Sequence, residues 1–267
     1  MSRIADRFTS LKAENKTALI PFITAGDPVP DKTVAIMHGL VKGGADIIEL
    51  GVPFSDPMAD GPVIQRASER ALEHNISLRD VLGIVKEFRQ LDHETPVILM
   101  GYMNPIEVMG YQVFAEKAAE AGVDGALIVD LPPEEAPEFI AEMKPKGLDQ
   151  VFLIAPTTRG KRLKNICNMA SGFIYYVSLK GVTGSNQLDV AQVSEKLTTI
   201  REHTDLPVGV GFGIKDPETA AAVAKVSDAV VVGSALVDHL YQQREESAAL
   251  AQVAEKFIQN LRSAMDV

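Results

Sequence analysis

The stretch Ala18-Leu19-Ile20-Pro21-Phe22-Ile23, followed by Thr24-Ala25-Gly26-Asp27-Pro28 and a helical pattern over 31–42, is the unit from which this chain is built. A short aliphatic run, stopped by glycine and proline and handed on to a helix, reads as one β-α unit of a parallel sheet. The same unit recurs, with further strands predicted over 46–50, 96–100, 125–129, 151–155, 173–177, 207–210 and 229–232. Eight such units in 267 residues favour an α/β closed barrel, the (β/α)8 or TIM barrel, which commonly runs to about 250 residues. An open doubly wound sheet would want G-x-G-x-x-G after the first strand, and that turn here is Thr24-Ala25-Gly26-Asp27-Pro28. Two additions to the plain barrel are expected. Ile4, Phe8 and Leu11 recur at helical spacing over 2–14, an added N-terminal helix over one end of the core, and helical patterns over 63–74 and 78–91 put an extra helix after strand 2. Leu250, Val253, Phe257 and Leu261 share one face of a final helix over 246–264. With no linker-like stretch, residues 1–267 read as a single barrel domain.

The composition, 46% hydrophobic and 23% charged, is that of a globular protein with a full-sized core. A net charge of −10 without a Lys/Arg cluster argues against nucleic acid or an anionic membrane as partner. A lone cysteine, Cys167, forms no internal disulfide. The N-terminus lacks the pattern of a signal peptide, and the apolar runs are too short to span a bilayer, so a cytoplasmic location is expected.

In such barrels the chemistry sits on the loops that follow the strands. After strand 2 comes Glu49-Leu50-Gly51-Val52-Pro53-Phe54-Ser55-Asp56-Pro57-Met58-Ala59-Asp60-Gly61-Pro62, with Glu49 at the strand's end and Asp60 beyond a proline-stiffened loop. Two acids facing one partly dry cavity would make an acid/base pair, because burial raises a carboxyl pKa toward neutrality. The plainer alternative is a strand-end Glu paired with an arginine and an Asp60 that N-caps the helix near Val63. After strands 7 and 8 come Gly211-Phe212-Gly213-Ile214 and Gly233-Ser234-Ala235-Leu236. Either alone suits a tight turn, while the pair, placed where such barrels often hold phosphate, suits an anion held on backbone N–H groups at a helix start. After strand 6, Ser178-Leu179-Lys180-Gly181-Val182-Thr183-Gly184-Ser185-Asn186 reads as a lid over 178–187 or as an ordinary surface loop. Lys180 raises the alternative of a Schiff-base aldolase, against which stands its glycine-flanked position, since such a lysine needs a desolvated pocket. Asp130 reads as the cap of a helix entered through Pro132-Pro133. His38, His74, His93, His203 and His239 all fall away from the strand ends, which disfavours a histidine metal site or base.

Taken together, Pro21 to Pro28, Glu49 to Gln65, Asp130-Leu131-Pro132-Pro133-Glu134-Glu135, Gly181-Val182-Thr183-Gly184 and Gly211-Phe212-Gly213-Ile214 strongly resemble the tryptophan synthase alpha subunit family, in order and over essentially the whole length. The resemblance implies a lyase that splits indole-3-glycerol phosphate into indole and D-glyceraldehyde 3-phosphate, with Glu49 and Asp60 as catalytic acids. It further implies an indole pocket of Phe22, Met100, Leu127, Val129, Tyr175, Phe212 and Val232. Gly184, Gly213, Gly233 and Ser234 would hold phosphate, and Thr183 would link the lid to Asp60. It implies no cofactor in this chain and a beta subunit carrying pyridoxal phosphate in an alpha2beta2 complex, faced by residues 55–58 and the loops after strands 3 and 6. Gly101, Met100 and Val129 depart modestly from the family's pattern, which bears on pocket volume. A role chiefly as an allosteric binding subunit is a further alternative.

Overall fold

The computed structural model describes residues 2–178, 189–211 and 213–267. Eight parallel strands close into a barrel in sequence order: β1 (Ala18–Thr24), β2 (Ile48–Gly51), β3 (Val97–Gly101), β4 (Gly125–Ile128), β5 (Asp149–Ile154), β6 (Ile174–Val177), β7 (Val208–Gly211) and β8 (Ala229–Val232). Closure is made by β1 on β8, where Ala18 pairs with Ala229 and Pro21 with Val232. Successive side chains of a strand point to opposite faces, and the burial follows that rule. Ala18, Ile20, Ile47, Ile98, Leu127, Val151, Phe173, Tyr175, Ala229 and Val231 fill the barrel lumen. Their neighbours Leu19, Ile48, Leu50, Leu99, Phe152, Ile174 and Val230 pack outward beneath the helices. Strands buried on both faces must be apolar throughout, which is why the short aliphatic runs located them to within one or two residues.

The helical ring comprises twelve α-helices among the described residues. The N-terminal helix α1 (Arg3–Ala13) sends Ile4, Phe8 and Leu11 into the lumen cluster and stoppers its lower end, with Phe8 5.8 Å from Phe173 between ring centroids. The extra helix after strand 2 is present: α2 (Thr33–Lys42) follows β1, while α3 (Pro62–Glu73) and α4 (Leu78–Phe88) both follow β2. A second addition, α5 (Met103–Met109) ahead of α6 (Tyr111–Ala121), is not among the expected elements. Pro105 falls in the first turn of α5, where N–H groups have no intrahelical partner and its missing donor costs nothing. The ring continues through α7 (Pro137–Met143), α8 (Gly160–Met169), α9 (Val190–Arg201), α10 (Pro217–Ala224), α11 (Ser234–Gln242) and α12 (Leu250–Met265). No helix among the described residues is long and apolar enough to cross a membrane.

One device repeats around the lower rim. A short polar side chain just before each even-numbered strand accepts a hydrogen bond from an N–H at the start of the preceding odd-numbered strand. Asp46 takes Leu19 N–H at 2.7 Å, Asp124 takes Val97 N–H at 2.8 Å, Ser171 Oγ takes Gln150 N–H at 2.9 Å and Asp228 takes Val208 N–H at 2.9 Å. The acids also hold arginines: Asp46 pairs with Arg7 and Arg262, Asp124 with Arg3 and Arg89, Asp228 with Arg201. Buried carboxylates are tolerable when both paired and hydrogen-bonded, and here Asp46 and Asp124 fix register and lash α1 to the barrel. The opposite rim is left for chemistry.

Candidate active site

Glu49 stands on the lumen side of β2, two residues above Ile47, and is 1% exposed. Its Oε1 has no hydrogen-bond partner, and no arginine among the described residues forms an ion pair with it. The plain reading of a strand-end ion pair therefore fails. Burial pushes its pKa from an ordinary 4.5 up to about 8, with the nearby Asp60 charge adding to the rise. Such a carboxyl holds its proton at neutral pH, the state a general acid requires.

Asp60 shares a cavity of about 110 Å³ with Glu49. It does not cap α3: the N-cap is Gly61, without any side-chain cap. The Asp60 carboxylate turns instead to the barrel, where Oδ2 accepts from the Tyr102 hydroxyl at 2.9 Å. The loop carrying it is held from the helix side by Gln65, whose amide donates to the carbonyls of Pro57 at 3.2 Å and Asp60 at 3.0 Å. Burial raises the Asp60 pKa while the Tyr102 hydrogen bond opposes the rise.

The walls of the cavity are apolar. Phe22, Met100, Tyr175 and Val231 line it together with Ile64 of α3 and Ile214. Two strand-end glycines make the room. A Cβ on Gly51 would come within 2.6 Å of the Phe22 ring, and one on Gly211 within 2.0 Å of the Tyr175 hydroxyl. Burial, and then the two acids, push the Tyr175 phenol well above its ordinary pKa. At the rim stand Gly213, with φ of +81°, and Gly233 and Ser234. Gly233 is the N-cap of the nine-residue α11, which carries no side-chain cap, so its first N–H groups and the positive end of its dipole are left to an anion. A narrower extension of the cavity runs past Asp60, lined by Val129, Gly101 and the buried Thr24, whose Oγ1 has no hydrogen-bond partner.

Of the residues expected from sequence, Phe22, Glu49, Asp60, Met100, Tyr175, Gly213, Gly233 and Ser234 line the cavity, and Val129 lines its extension. Leu127 is buried in the lumen and is not among the lining residues. Val232 is misplaced: it packs outward under the helices, and Val231 one residue earlier faces the cavity, as β-strand alternation requires. Asp130 caps a different helix from the one expected, accepting the Met103 N–H of α5 at 2.8 Å, while α7 starts at Pro137. Phe212, Thr183, Gly184 and Lys180 lie outside the described residues, and with them the lid over 178–187, apart from Ser178, and the Schiff-base alternative. Tyr102 and Gln65 were missed. Tyr102 had a signal, since Ile98, Met100 and Tyr102 share the inward parity of β3.

The family model of the tryptophan synthase alpha chain matches residues 8–266. The chain belongs to the tryptophan synthase alpha chain family. It is 60% identical over 266 residues to the tryptophan synthase alpha chain of Thioalkalivibrio sulfidiphilus, covering 100% of both chains. To that of Nitrosococcus oceani it is 57% identical, covering 100% of this chain and 98% of the relative. Among solved structures, tryptophan synthase subunit alpha from Legionella pneumophila superposes with a TM-score of 0.93 at 48% identity, covering 100% of this chain and 99% of that one. A chain of tryptophan synthase from M. tuberculosis, in an aminoacrylate-bound form, gives 0.88 at 34% identity, covering 99% and 100%.

Proposed function

We propose that this carbon–carbon lyase catalyses the retro-aldol cleavage of indole-3-glycerol phosphate to indole and D-glyceraldehyde 3-phosphate, with Glu49 and Asp60 as the acid/base pair. The observation that carries the reading is the buried, unpartnered Glu49, protonated at neutral pH, sharing a cavity with a second carboxylate. Indole C3 leaves only once it is protonated, and Glu49 is the acid available to give that proton. The carboxylate so formed takes the proton from the hydroxyl on the adjacent side-chain carbon. The C3–carbon bond then breaks, its electron pair returning to the indole ring, and the former carbinol carbon leaves as the aldehyde. Asp60, ionised, holds N1–H and balances the positive charge on the ring in between. Phosphate is held by Gly213, Gly233 and Ser234, and by Gly184. Phe22, Met100, Tyr175 and Val231 clamp the ring.

The chain acts as one domain, in the cytoplasm, without a cofactor of its own, and in an alpha2beta2 complex with a beta subunit that carries pyridoxal phosphate. Met58 and Val108, 85% and 83% exposed, support this docking face, since they sit on the loop after β2 and on the helix after β3. The decisive test supplies indole-3-glycerol phosphate to the purified chain, with and without a beta subunit, and follows indole. Indole is expected in both, faster with the partner; none in either would overturn the reading. The seat of the ring gives a second expectation. Gly51→Ala should drive the Phe22 ring into the cavity and raise KM by about tenfold, the worth of roughly 1.4 kcal/mol, with a smaller change in kcat. Steady-state kinetics checks it, and Gly51→Ala combined with Phe22→Leu should recover most of the loss.

A further inference from the structure

We propose that Tyr102 is a positioning residue for Asp60, holding that carboxylate in the orientation the cleavage uses; the inference rests on the catalytic reading of Asp60 given above. Tyr102 follows β3 directly with extended backbone, so its side chain continues the inward row of Ile98 and Met100. It is 4% exposed. Everything its side chain does is directed at one loop. The hydroxyl donates to Asp60 Oδ2 at 2.9 Å and accepts the Ala59 N–H at 3.0 Å, and the ring stacks on Phe54 with centroids 4.9 Å apart and planes 26° apart. Among the described residues, no other group donates a hydrogen bond to the Asp60 carboxylate. A tyrosine locked on both edges has few rotamers to lose, so it fixes a loop-borne acid to the rigid sheet, which is what a preorganised site requires.

The electrostatics run the same way. The ionisable groups facing Asp60 are Glu49 from β2, Tyr175 from β6 and Tyr102 itself, with Asp130 acting on Tyr102 from beyond β4. None is a cation. Burial works against the ionised form of Asp60, and the Tyr102 hydrogen bond is what works for it. An acid meant to hold N1–H must be ionised, so losing this donor should cost activity first at low pH.

Tyr102→Phe keeps the ring and its stack on Phe54 and deletes the hydroxyl. In the full chain, assayed for indole release with and without a beta subunit, kcat/KM is expected to fall about ten- to a hundredfold, the usual worth of a hydrogen bond to a charged group. The acid limb of its pH profile should move to higher pH, while thermal unfolding stays cooperative. An unmoved acid limb, whether or not kcat/KM falls, overturns the proposal, because a merely structural tyrosine would lower activity at every pH alike. Asp60→Asn is assayed in parallel. Should it retain substantial cleavage, the catalytic reading of Asp60 fails; should it be inactive while Tyr102→Phe behaves as wild type, the positioning role alone fails.

Discussion

Glu49→Gln is expected to lower kcat for indole release by about 10²- to 10⁴-fold, the range that a positioned proton-transfer group supplies. The amide is nearly isosteric with the acid, so KM should change little and the fold should survive. The same variant carries a sharper signature in stability. The carboxyl has its pKa raised from an ordinary 4.5 to about 8 because it is buried without a partner. Between those values the unfolded chain has released the proton that the native state still holds. The native state thus binds more protons than the unfolded one, and stability falls as pH rises. Whatever stability is attached to this proton is fully present below about pH 4.5 and is lost progressively as pH rises to about 8. Glutamine does not titrate. Wild type and Glu49→Gln should therefore unfold with similar free energies near pH 4.5, and the variant should become the more stable by a few kcal/mol near pH 8, on the scale of about 1.4 kcal/mol for each pH unit of raised pKa. Urea titrations at the two pH values check it. A variant less stable than wild type at pH 8 would mean that Glu49 is ionised and paired in the native state.

The sequence disclosed the barrel almost whole, for a physical reason. Strands of a parallel barrel are apolar on both faces, so Val230 and Val231 look alike in the chain, and the run as a whole announces a strand. The same property hides which residue faces the cavity, and Val231 rather than the expected Val232 does so. Caps erred for the opposite reason. Asp60 before Gly61-Pro62 and Asp130 before Pro132-Pro133 satisfy a local rule for helix starts, but each carboxylate found its partner across the fold, on Tyr102 and on the N–H of Met103. Glu49 was readable as a candidate because an acid at the end of an aliphatic strand breaks the pattern. Its lack of a counter-charge was not readable, since that depends on what the other seven strands present to the lumen.

Asp124→Ala is expected to destabilise the protein by about 3–5 kcal/mol, the cost of breaking a buried ion pair from one side. Asp124 is 4% exposed and accepts from Arg3 at 2.6 Å, Arg89 at 2.8 Å and Val97 N–H at 2.8 Å. Removing it leaves the guanidinium of Arg89, whose side chain is 9% exposed, with the carbonyls of Gly122, Asp92 and Thr95 and an Asp92 carboxylate 3.7 Å away, and frees the strap that fastens α1 beneath β3 and β4. Asp124→Asn keeps an acceptor for Val97 N–H and should lie between alanine and wild type. Denaturant midpoints measure both, and a loss under about 1 kcal/mol would show that the lower rim does not depend on this carboxylate. Activity per folded molecule should be unchanged, because Asp124 precedes β4, at the end of the barrel away from Glu49 and Asp60. The two substitutions then have opposite signs at pH 8. An acid deleted from the lower rim takes stability with it, because there arginines and an N–H lose the carboxylate that answers them, even though burial still raises its pKa. An acid neutralised at the upper rim returns stability, because there burial was left unmatched.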